Sequence, residues 1–215
     1  MALLCTGYEP FGEHETNPSG DVARALDGAR LAGHDVVGEV LPVAFEDAGD
    51  RMRALLDEHD PVAVVATGLA AGRSGVSVER VAVNAADAVG VPDNAGDDPV
   101  DERIDPDGRD GYLATVPVRR TVEACLDAGV PARLSNTAGT HLCNHLLYWT
   151  LAHLDATGRD APAGFLHLPA TPGQAARKAQ EGEAARGGSL TPSLPLELSE
   201  RAVGVAFEIA LERAE

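Results

Sequence analysis

The chain has 215 residues, 44% of them hydrophobic, which is enough apolar material for one folded domain over residues 1–215 and too much for a disordered chain. Its 34 acidic and 17 basic residues leave a net charge of −17, and such a surface repels polyphosphate and anionic lipid, which excludes nucleic acid and membranes as partners. Lys178 is the only lysine, and this acid-rich balance suits a protein that works in concentrated salt, where repulsion between like charges is screened.

The first predicted element is an apolar strand over 2–7 (ALLCTG), which leads into a Gly/Pro loop. Glu9, Pro10 and Glu13 interrupt the apolar run before the core of an export signal forms, so the expected location is the cytoplasm. Helical spacing follows over 19–28 (SGDVARALDG), then a strand over 36–43 (VVGEVLPV) and a helix over 45–59 (FEDAGDRMRALLDEH). The unbroken apolar run within 62–69 (VAVVATGL) fits a buried parallel strand, and a further strand is predicted over 76–85 (VSVERVAVNA). Residues 92–111 are dense in Asp, Gly and Pro and read as a long surface loop, without the ligand spacing of a calcium loop. A helix over 118–129, a strand over 132–136, a helix over 141–158 capped by Thr140, and a strand over 164–169 come next. An irregular stretch over 181–197 and a helix over 197–214 complete the chain. This alternation predicts an α/β fold with helices on both faces of the sheet. No apolar stretch approaches the roughly 20 residues of a membrane-spanning helix. Three scattered cysteines do not make a disulfide framework and fit a reducing compartment.

Three residues stand out chemically. Cys143 falls in the first turn of its predicted helix, where the helix dipole and unpaired N–H groups favour a thiolate and can hold an oxyanion; burial as a small apolar side chain is the alternative. His141 and His145 are four apart, but no Glu stands between them and no third ligand is spaced for a metal. Each is two residues from Cys143 and should face away from it. His167 lies near the carboxyl end of its strand, where open α/β sheets form their binding crevices. Glu79 is a carboxylate in an apolar strand and requires a partner: Arg73, Arg80, or an imidazole that it orients.

The stretches TGYEPFGEHETNPS (6–19), GLAAGRSGVSVERVAVN (68–84), PDNAG (92–96), SNTAGTHLCNHLLY (135–148) and GFLHLP (164–169) occur together and in this order. In them the chain resembles the pyroglutamyl-peptidase I family of cysteine peptidases along nearly its whole length. The resemblance implies a three-layer α/β/α sandwich with a twisted, mostly parallel, mixed central sheet, assembled as a homo-oligomer (dimer or tetramer). It implies removal of N-terminal pyroglutamate from peptides without cofactor or metal, with Cys143 as nucleophile, His167 as general base and acid, and Glu79 orienting His167. By matching position, Tyr8 and Phe11 flank the substrate ring, Asn17 fixes the loop or the substrate, and Val43 and Val91 line further wall. Many relatives have an arginine just before the PDN motif, where this chain reads AVGVPDN. The departure implies that backbone groups or another residue such as Arg73 take its place, and it leaves open a binder of lactams or peptide termini with little turnover.

Overall fold

The computed structural model describes residues 2–12, 14–182 and 188–212. β1 (Ala2–Tyr8) runs through the middle of a seven-stranded sheet because apolar side chains serve both of its faces. Leu4 joins one core, while Leu3 and Cys5 join the other. Asn17 caps α1 (Pro18–Leu26): its Oδ1 accepts from Ser19 N at 3.1 Å, and proline fits the first helical position. β2 (Arg30–Leu31) and β3 (His34–Leu41) pair antiparallel, and β3 lies parallel to β1. After α2 (Phe45–His59), β4 (Ala63–Leu69) returns to the other side of β1.

β5 (Val76–Glu79) pairs antiparallel with β9 (Ala163–Leu168) and parallel with β8 (Ala132–Ser135). The order across the sheet is β2-β3-β1-β4-β9-β5-β8. α2 and α4 (Leu142–Thr157) cover one face; α1, α3 (Val118–Asp127) and α6 (Leu196–Glu212) cover the other. The result is a three-layer α/β/α sandwich with a mixed, mostly parallel sheet.

The strand expected over 76–85 is two strands. At Arg80 the chain leaves the main sheet, and β6 (Val81–Val83) pairs instead with β7 (Gly111–Leu113) in a separate two-stranded ribbon. Both sides of Arg80 are already committed: its N–H donates to Ser135 O, and its carbonyl accepts from Ala114 N. The short β2, the ribbon strand β7, and α5 (Pro172–Glu181) with its Thr171–Gln174 capping box have no counterpart in the sequence reading. Residues 183–187 of the expected irregular stretch, and 213–214 of the last expected helix, lie outside the described residues.

Within the acidic loop, Asp93 is buried and acts as an anchor. Its carboxylate accepts from Phe45 N at 2.8 Å and from Ala95 N and Asp97 N at 2.9 Å each. The first of these bonds satisfies a donor at the start of α2, which has no side-chain cap from its own N-cap residue. Asn94 continues the anchor. Its Nδ2 donates to Glu9 Oε1 and Pro10 O at 3.0 Å each, and Glu9 Oε1 also accepts from Val43 N at 3.0 Å. The segment read as a plain solvated loop therefore ties the β1–α1 loop to the start of α2.

Candidate active site

In β9, Phe165 belongs to the core on the α2/α4 face, so His167, two residues on, faces the same way. Its neighbours in register are Gly68 of β4 and Ser77 of β5, and Glu79 lies opposite Phe165. Strand alternation thus directs Glu79 and His167 to one face. The start of α4 lies over that face and brings Cys143 with it.

The groups meet in a line. His167 Nδ1 lies 2.8 Å from Glu79 Oε1, and Nε2 is left for Cys143, with which the imidazole shares a side-chain hydrogen bond. Glu79 is fully buried and His167 nearly so, while Cys143 is partly exposed. Burial alone would push the imidazole down. Cys143, the bond to it, and then Glu79 outweigh burial and raise His167 to about 9, which favours the imidazolium. Burial also opposes charge on Glu79, but donors led by His167, with Arg73 among them, hold its carboxyl below the usual range. Ser135 Oγ donates instead to Thr137 O at 3.1 Å, and Glu79 Oε2 has no hydrogen-bond partner among the described residues. Cys5 and Cys125 make a contrast. Both are buried, and desolvation raises them to about 12 and about 11, so they stay thiols.

Gly68 was not anticipated as a site residue. A Cβ there would stand 2.8 Å from Cys143 Sγ and 2.9 Å from Phe165 Cζ, so only glycine leaves room for the Cys143 side chain beside the sheet. Asn144, next to Cys143, was also missed. Its side chain binds Val83 N, Val83 O and Ala85 O at 2.8–3.0 Å, which fastens the first turn of α4 to the β6 segment.

The N-cap of α4 is His141, in extended conformation and without a side-chain cap, not Thr140. Thr140 is held elsewhere: its Oγ1 donates to Asp87 O at 2.8 Å, and its carbonyl accepts from Asp87 N. The correction moves Cys143 to the second helical residue, so the first N–H groups of α4 lie open beside Sγ. It also changes the expectation for His141. A cap residue is outside the helical repeat, and this ring lines the same cavity as Cys143, between Phe11 and Phe45 at centroid distances of 5.5 and 5.1 Å. His145 does face away. It packs on Phe45 and Trp149, and burial lowers it to about 4, so it is neutral.

Cys143 and His167 open into a cavity of about 300 Å³ whose wall includes Tyr8, Phe11, Asn17 and Val43. Tyr8 is almost fully buried, and its hydroxyl donates to Leu142 O at 2.9 Å, so it braces the α4 turn as well as lining the wall. Asn17 serves the loop: Nδ2 donates to Glu9 O at 2.8 Å while Oδ1 caps α1. Val91 is not part of the wall. It is 49% exposed and reaches the site only through its carbonyl, 2.9 Å from His141 Nε2. Arg73 is likewise not free to meet a substrate, since Nη1 is 2.7 Å from Glu79 Oε1. A second groove, of about 390 Å³, adjoins the cavity through Phe11, His14 and Ala71 and continues along α5 past Arg177 and Lys178.

Residues 1–213 match the family model described as pyroglutamyl peptidase. The pyrrolidone-carboxylate peptidase of Pyrococcus furiosus is 40% identical over 212 residues, covering 99% of each chain. Pyrrolidone-carboxylate peptidase 2 of Photorhabdus laumondii is 40% identical over 213 residues, covering 99% of this chain and 93% of its own. The crystal structure of the Pyrococcus furiosus pyrrolidone carboxyl peptidase superposes with a TM-score of 0.93 at 39% identity, over 99% of both chains. With sequence and fold matched end to end, this chain belongs to the pyroglutamyl peptidase family.

Proposed function

We propose that the chain is a cysteine exopeptidase that hydrolyses the amide bond after an N-terminal pyroglutamyl residue. The observation that carries this reading is the line Cys143–His167–Glu79 at the mouth of a small, mostly apolar cavity, in a chain of this family. Pyroglutamate is a compact neutral lactam, and a pocket walled by Tyr8, Phe11 and Val43 suits one such ring. Asn17 holds the loop that follows Tyr8 and carries Phe11.

The thiolate of Cys143 attacks the pyroglutamyl carbonyl, and the first N–H groups of α4 take the charge that develops on oxygen. As the tetrahedral intermediate collapses, the C–N bond breaks and His167 gives its Nε2 proton to the leaving amine, which leaves a thioester on Cys143. Now neutral, His167 takes a proton from water, whose oxygen attacks the thioester, and the thiolate departs. Pyroglutamate and a shortened peptide result, with the imidazolium–thiolate pair restored. The groove past His14 and α5 gives the leaving peptide a path away from the reacting carbon.

This reading places the enzyme in a reducing cytoplasm, where three free thiols persist, and as a homo-oligomer that sedimentation would measure. The test of function is substrate discrimination. A fluorogenic pyroglutamyl amide should release its amine, while the prolyl amide, which lacks the ring carbonyl, and the open-chain glutamyl amide should not. Equal turnover of all three would overturn the assignment.

A further inference from the structure

Glu79 Oε1 receives two donors, His167 Nδ1 at 2.8 Å and Arg73 Nη1 at 2.7 Å, while the buried Oε2 has no partner among the described residues. Arg73 comes from the turn between β4 and β5, six residues before Glu79, and its side chain is 24% exposed, so it reaches the carboxylate from the solvent side. Counting charge along the line gives thiolate, imidazolium, carboxylate and guanidinium, which sum to zero. Without Arg73 the resting site would carry one uncompensated negative charge in a buried setting, which is strongly unfavourable.

Part-way through the reaction proposed above, on which this inference rests, the same excess falls wholly on Glu79. Once His167 has given its proton to the leaving amine and Cys143 is a neutral thioester, Glu79 faces only a neutral imidazole. Arg73 is then the one formal positive charge in contact with it among the described residues. A carboxylate left without that charge takes up a proton, and it no longer holds Nδ1–H so that Nε2 can accept a proton from water.

We propose that Arg73 is a positioning residue: its guanidinium is the permanent counter-charge that keeps Glu79 ionised while His167 is neutral, and so it serves thioester hydrolysis more than thioester formation. The role is distinct from ordinary structural pairing because it is tied to one half of the cycle. The first acylation starts from the imidazolium, which itself supports the charge on Glu79. Deacylation has no such support.

The test is pre-steady-state release of a fluorogenic amine from its pyroglutamyl amide by the full-length protein and by Arg73→Met. The variant should release a burst of about one amine per active site and then turn over about 100-fold more slowly than the parent, the scale set by an unpaired buried charge. Arg73→Lys, which keeps the charge, should abolish most of the burst. Millimolar guanidinium should restore hydrolysis in Arg73→Met at matched ionic strength, while urea, similar in shape but neutral, should not. If Arg73→Met does not fold, Arg73→Gln carries the same test, since it keeps hydrogen-bond donors without charge. A first turnover slowed as much as the steady state, or equal rescue by urea, would overturn the proposal and leave Arg73 a packing residue. A parent that cleaves no pyroglutamyl amide would remove the peptidase reading and this one with it, whereas an active parent with a burst-free variant removes this one alone.

Discussion

His167 faces opposing influences, and the balance between them has a measurable consequence. Burial disfavours its charge, yet the Cys143 thiolate and Glu79 raise it to about 9, above the ordinary imidazole value of about 6.5. A group raised in the folded state contributes stability that is fully present below about pH 6.5 and is lost as pH rises through about 9. Denaturant titrations should therefore show the parent losing stability across that window, and Cys143→Ala, which removes the largest raising influence, losing less. Imidazole NMR of the variant should place the His167 titration below about 9; an unmoved titration would contradict the thiolate–imidazolium pair. Much at this scale was legible in the sequence. A cysteine at a helix start, a histidine at a strand end and a carboxylate inside an apolar strand are each costly or unusual where they stand. Gly68 and Asn144 were not legible, because their importance lies in what touches them: Cys143 Sγ at the missing Cβ of one, and the β6 backbone on the other.

Elements fix the site through their ends. β1, β4 and β9 deliver Tyr8, Leu69 and His167 to one edge of the sheet, α4 brings Cys143 over it, and the 92–97 segment ties the β1–α1 loop in place. Asp93→Ala would leave three backbone donors without their carboxylate acceptor, including the one at the start of α2. The expected cost is about 2–4 kcal/mol in stability, as for buried hydrogen bonds to a charged group. Because Asn94 then no longer restrains Glu9 and the loop that follows Tyr8 and bears Phe11, KM should rise more than kcat falls. Unchanged stability in denaturant would contradict the anchoring role. Pattern predicted the long elements well, since α2 and α3 each bury one face and β4 is buried along an unbroken apolar run. It failed where long-range partners decide: the 76–85 run breaks at Arg80 because Ser135 and Ala114 claim its backbone, and Thr140 yields the cap to His141 because Asp87 holds it. The acid-rich loop looked solvated because the burial of one aspartate depends on a helix start 48 residues away.

Across the whole molecule, a net charge of −17 on 215 residues sets the response to ions. Several acids are paired, as in Arg51–Glu39 at 2.8 Å and Arg159–Asp57 at 2.9 Å, but 34 acids against 17 bases leave an unavoidable excess. Screening that excess should raise the melting temperature in molar salt relative to dilute buffer, and an unchanged or lower value would contradict it. The molecule as a whole holds one partly exposed thiol at a cavity while the other two are buried. The most direct test is to quench the protein in acid during turnover of a pyroglutamyl amide, map the modified peptide by mass spectrometry, and measure the steady state of Cys143→Ala alongside. The expected result is a pyroglutamyl adduct on the peptide that contains Cys143 and loss of essentially all turnover in the variant. Undiminished turnover in Cys143→Ala, or an adduct on Cys5 or Cys125 in its place, would contradict it.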